Sequence, residues 1–273
     1  MNRLAARSTS AAPSAAGRIS YGVAALAATI VAVFLAHQAS LLLHEWTHGT
    51  VAWAFGYKRS PFDIHYGGWT LLDADEAIDY RAILAAGKGT AVAAIAIAPI
   101  LLGGALYVLG TPLLALRAIQ RRKALWLFLF WFNLSNLGQV LDYIPMRAFV
   151  VSRDGLLRGD VGHFVQGLGV SPWIALVPGI LFLAAALFWQ MRWETPRAYA
   201  ALGLERRGQT ALLALTLLYL FGWYGMAGAS YEFPSNVLSR AGLVVAVVLF
   251  LACRPRRRWV ADRVASFAAA GKG

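Results

Sequence analysis

A single cysteine, Cys253, stands in 273 residues, so neither an intrachain disulfide nor a cysteine-based metal site can form. Histidine is scarce too: the chain has 5, short of the roughly eight that membrane di-iron desaturases and hydroxylases need, which disfavours that class on ligand number. Acidic residues number 13 against 25 basic ones, a net charge of +12, yet charged residues make up only 14% of the chain. No internal repeat and no long linker divides it, and no soluble domain of ordinary size fits between its apolar runs.

What is abundant is hydrocarbon. Hydrophobic residues are 59% of the chain and the mean hydropathy is +0.58, against about 45–50% apolar for soluble domains. Six runs long enough to cross a bilayer core of about 30 Å are predicted over residues 20–43, 88–110, 124–142, 172–191, 210–229 and 236–253. The expected fold class is therefore an all-α polytopic membrane protein. Its helical bundle covers 19–253, between a cytoplasmic tail, 1–18, and a basic cytoplasmic tail, 254–273. Trp126, Trp173, Trp189, Trp193 and Trp259 fall near predicted span ends, where amphipathic rings sit.

The positive charge follows topology. Arg3, Arg7 and Arg18, then Arg117 to Lys123, then Arg192 to Arg207, then the arginines from Arg254 onward occupy alternate connections, while Asp63, Asp73, Asp75, Glu76, Asp79, Asp154 and Asp160 gather on the others. This places both termini in the cytoplasm, with the C-terminal arginine cluster set to meet anionic lipid headgroups and no nucleic acid as partner. Residues 1–18 resemble the charged region of a signal peptide, but cleavage near Ala39 would strip the next helix of membrane support, so a tail is the reading adopted. Ala- and Arg-rich composition fits a bacterial inner membrane.

One polar island interrupts the first apolar run. His44-Glu45-Trp46-Thr47-His48 is an H-E-x-x-H sequence, and the helix is expected to continue through it to about Phe55. Residues four apart share a helix face, so His44 and His48 can ligate one zinc ion with Glu45 beside it as base. A catalytic zinc takes three protein ligands and leaves one position for water or substrate. Asp142, at the end of the third run, is the leading third ligand, because an ionisable group there is costly unless paired or metal-bound. The alternatives are that Asp142 caps its helix or pairs with Arg147, and that Asp160 or His163, in Gly159-Asp160-Val161-Gly162-His163, supplies the ligand. Between the first two runs, Phe62, Ile64 and Tyr66 alternate with Asp63 and His65 ahead of Gly67-Gly68, which predicts a β-hairpin over 61–72 or an irregular loop.

In order as well as motif, residues 20–150 resemble the site-2 protease family of intramembrane zinc metalloproteases. The corresponding pieces are His44 to His48, the predicted hairpin, Ala86-Gly87 opening the second run, and the asparagine-bearing stretch Asn133 to Asn136 that leads to Leu141-Asp142. Lys88 stands where the family has proline, and Tyr143 where it has glycine. The resemblance implies one zinc on His44, His48 and Asp142, Glu45 as general base, and cleavage of membrane-protein or peptide substrates. Asn133 and Asn136, three apart on one face, would contact substrate backbone or oxyanion, or would serve as packing ties between helices. The competing function is a non-catalytic binding, adaptor or transport protein with a vestigial metal site. Oligomeric state is not legible.

Overall fold

The computed structural model describes residues 15–71, 73–151 and 157–255, with side chains described from residue 24 onward. Within them the chain is helical. α1 runs Ala15–Ala54, α2 Tyr80–Ala85, α3 Gly89–Ala115, α4 Arg117–Gln120 and α5 Lys123–Leu141. α6 covers Gly159–Leu168, α7 Trp173–Trp189, α8 Thr195–Leu202, α9 Arg206–Leu217 and α10 Ser235–Cys253. Wider, π-type turns extend α5 over Asp142–Met146, join α7 to α8 over Gln190–Glu194, and extend α9 over Leu218–Tyr224. Pro145 lies in the first of these, where its missing N–H and ring open the helical ladder.

Among the described residues five helices are long and apolar enough to cross a membrane: 24–54, 89–115, 123–146, 173–202 and 235–253. The remaining expected run, 210–229, is helical over Arg206–Tyr224 but opens on Arg206, Arg207, Gln209 and Thr210, so it is less apolar than the other five. Burial separates the centre from the rim. The apolar window of 123–146 is 72% buried, that of 235–253 only 11%, so α5 is the central helix and α10 turns most of its side chains outward. Leu26, Ile30 and Val31 of α1 and Val244, Val247 and Val248 of α10 are all more than half exposed. Apolar surface on that scale suits lipid rather than water as the surrounding medium.

The core is built from α1, α3, α5 and α6, which pack on one another. Small residues set the closest approach. A Cβ on Gly167 would lie 2.3 Å from the Gly89 carbonyl oxygen, and one on Gly89 the same distance from that of Gly167, so the end of α6 crosses the start of α3 in backbone contact only because neither residue has a side chain. Among the described residues no strand pairs within 61–72, which follows the irregular-loop alternative; His65 makes an isolated antiparallel bridge with Asp75 through paired backbone hydrogen bonds of 2.9 Å. Gly67 and Leu71 both take positive φ there, and such left-handed turns end strand pairing before a second pair can form.

Candidate metal centre

α1 carries the first three functional side chains to the middle of the bundle. His44, Glu45 and His48 are each at most 4% exposed. Their neighbours come from three directions: α3 behind His48, the extension of α5 beside His44, and α6 facing both. The backbone carbonyl of Ile95 lies 2.9 Å from Nδ1 of His48. A carbonyl only accepts, so Nδ1 carries a hydrogen, which leaves Nε2 as the nitrogen able to ligate a metal once deprotonated. This is the arrangement by which a metal-ligating histidine is usually oriented. Nδ1 of His44 is buried without a hydrogen-bond partner. That ring is held by stacking on Tyr143, centroids 4.7 Å apart and planes 13° from parallel.

Asp160, the second residue of α6, supplies the carboxylate. Its Oδ2 is 3.0 Å from Nε2 of His44 and 3.4 Å from Nε2 of His48, and the two nitrogens are 3.3 Å apart. Zinc ligands about 2.0–2.1 Å from the metal at tetrahedral angles stand about 3.3–3.4 Å from one another, so these three atoms match one face of a tetrahedral site. The start of a helix also favours an anion. Burial works to raise the Asp160 carboxyl, but the charge of His48 and hydrogen bonds with His44 and His48 outweigh it and hold the group well below the usual carboxylate range.

Asp142, the expected third ligand, is placed elsewhere. It too is buried, but its Oδ1 contacts Nε of Arg147 at 2.7 Å, and the carboxylate grouped with the two imidazoles is that of Asp160. The physical reason lies in the turn Asp142–Met146, which brings Arg147 back to the helix end and gives the aspartate a cation of its own. His163 stays outside the cluster, its ring stacked on Tyr80 at 4.1 Å, and burial lowers its pKa. The amides expected to meet substrate are engaged between helices. Asn133 faces α3, where its nitrogen, suitably turned, donates to the carbonyls of Leu106 and Tyr107 at 3.2 and 3.0 Å. Asn136 donates to Phe132 O at 2.8 Å and accepts from Ser40 of α1 at 3.5 Å. His37 is tied to the hydroxyl of Tyr224 at 2.9 Å.

Glu45 forms a second group with His48. One of its oxygens, a ring nitrogen of His48 and a carboxylate oxygen of Glu76 lie within 4.8 Å of one another, and Oε2 of Glu45 is buried without a partner. The Tyr80 hydroxyl is hydrogen-bonded to Glu76 and lies 3.4 Å from Nδ1 of His48. Tyr80, Tyr143 and the Ile95 carbonyl were not legible as site groups. Glu76 left one trace, as an acid in the loop just after α1. The terminal tails, with all of the C-terminal basic cluster but Arg254, lie outside the described residues. Compared with protein-family models, with curated proteins and with solved structures, the chain matches none.

Proposed function

We propose that this chain is a zinc-dependent intramembrane endopeptidase, a divergent relative of the site-2 proteases, with His44, His48 and Asp160 as metal ligands and Glu45 as general base. The observation that carries the reading is the convergence of two Nε2 atoms and one carboxylate oxygen at tetrahedral spacing, beside a buried carboxylate with an unengaged oxygen. Among the described residues no fourth side chain joins the three, and a protein site with three ligands keeps a position for water or a carbonyl.

His44, His48 and Asp160 would hold the zinc, which would supply Lewis acidity to make a water more acidic and polarise a carbonyl. Glu45 accepts the proton as the water oxygen bonds to the carbonyl carbon, and returns it to the nitrogen as the C–N bond breaks. His48 keeps its orientation through Ile95, His44 through Tyr143, and α6 presents Asp160. Substrate is the backbone of a membrane-protein segment, unwound locally so that a peptide carbonyl reaches the site. The same reading keeps six crossings, with Arg206–Tyr224 as the sixth and both termini cytoplasmic in a bacterial inner membrane.

The test compares wild type with Glu45→Gln in membranes, following co-expressed single-span proteins by size. Cleavage falling by about 10²-fold or more, with zinc content unchanged, supports the assignment. Equal processing by both forms removes Glu45 from the reaction.

A further inference from the structure

We propose that Arg147 is a positioning residue for the metal centre: it holds the Tyr143 ring, which in turn sets the plane of the His44 imidazole. This rests on the reading of His44 as a zinc ligand and deepens it by naming what orients that ligand. The two histidines are held differently. Nδ1 of His48 meets the Ile95 carbonyl at 2.9 Å, whereas Nδ1 of His44 is buried without a hydrogen-bond partner. A ligating imidazole is ordinarily fixed by a bond at its other nitrogen, and losing such a partner weakens metal binding about 10- to 100-fold. The ring torsion has no sharp preference of its own, so packing has to select it. A turn of the His44 ring would carry its Nε2 away from the spacing of 3.3 Å to His48 and 3.0 Å to Asp160. What opposes that turn is the Tyr143 ring, 4.7 Å away and 13° from parallel.

Tyr143 needs support in its turn, because it lies in the wide turn Asp142–Met146, outside the regular α-helical ladder. Arg147, four residues on, supplies it. Its guanidinium carbon is 5.3 Å from the Tyr143 ring centroid, inside the reach of about 6 Å over which a cation is drawn to a ring face. Its Nε is 2.7 Å from Oδ1 of Asp142. The aspartate therefore fixes the guanidinium, the guanidinium fixes the ring, and the ring fixes the ligand. Met146 and Ala148, on either side of Arg147, are buried, which anchors the backbone from which it reaches. Neutralising Asp142 needs only a nearby cation; a planar group seated over the ring beside a ligand also restrains that ring.

The experiment measures zinc affinity of the full-length protein in detergent by chelator competition, and reads ligand geometry from the visible absorption of the cobalt-loaded protein. The cation is removed in the Asp142→Asn background, so that no buried carboxylate is left unpaired. There, Arg147→Met is expected to weaken zinc binding about tenfold and to change the cobalt spectrum, relative to Asp142→Asn alone. Arg147→Gln serves the same comparison should the first variant not fold. Tyr143→Phe keeps the ring and both readouts, while Tyr143→Leu repeats the loss. Because Arg147 acts through the ring, adding Arg147→Met to Asp142→Asn with Tyr143→Leu has no further effect. A change in melting temperature alone, with affinity and spectrum unmoved, overturns the inference and leaves the metal site standing. So does a loss from Arg147→Met that is undiminished in the Tyr143→Leu background. Failure of the wild type to bind one zinc or cobalt per chain takes down the reading of the site, and this inference with it.

Discussion

At the scale of single residues, two aspartates of similar burial have different work because of what faces them. Asp142 meets Arg147, and Asp160 meets two imidazole nitrogens. Replacing Asp160 with Asn is expected to lower zinc affinity by roughly 100-fold or more, since a neutral amide is a poor zinc ligand. Asp142→Asn keeps the metal. Zinc analysis of the two purified variants after dialysis separates them, and the opposite pattern would return Asp142 to the ligand set. The same atoms set the pH response. Ligands must be deprotonated to hold metal, and Asp160, held low, stays ionised well into acid. Zinc occupancy should fall as pH drops, because protons compete with the metal for its ligands, measured by chelator competition across pH.

Between elements, the decisive contact is the crossing of α6 over α3. Asp160 has no support from α1 or α5 in sequence; it reaches the histidines because Gly167 lies against Gly89 at the other end of its short helix. Gly167→Leu forces a side chain into backbone, an overpacking cost of about 1–3 kcal/mol, and should lift α6 and with it the carboxylate. Expected is a lower melting temperature together with weaker zinc binding, whereas Gly169→Ala, at a position with open space around it but positive φ, should lower stability without weakening the metal. α1 shows the converse case. Its H-E-x-x-H spacing places both imidazoles on one face by helix geometry alone, which is why that half of the site was legible beforehand. The choice between a hairpin and an irregular loop after α1 was not, because pairing there depends on where turns with positive φ fall, and alternation of side chains does not encode that.

At the scale of the whole molecule, five helices among the described residues meet the length and apolarity of a membrane crossing, and an odd number of crossings would leave the termini on opposite sides. Cytoplasmic placement of both ends requires Arg206–Tyr224 to cross as well. Reporter fusions after residues 14 and 255 test this directly. Both should be active on the cytoplasmic side, and one on each side would remove the sixth crossing. The central position of α5 explains how a less apolar helix is accommodated, since polar residues such as Ser135 and Tyr219 bond to each other across α5 and the extension of α9, at 2.8 Å, away from lipid.

The long apolar runs determined that the described chain is helical, with helices long and apolar enough to cross a membrane, and local spacing determined the His44–Glu45–His48 face, because a helix repeats every 3.6 residues. Which carboxylate completes that face was decided only by tertiary structure. Asp142 and Asp160 are both acids near helix ends, and nothing in their own neighbourhoods tells them apart as ligands; the turn that brings Arg147 to one, and the glycine crossing that brings α6 to the histidines, are contacts between distant parts of the chain.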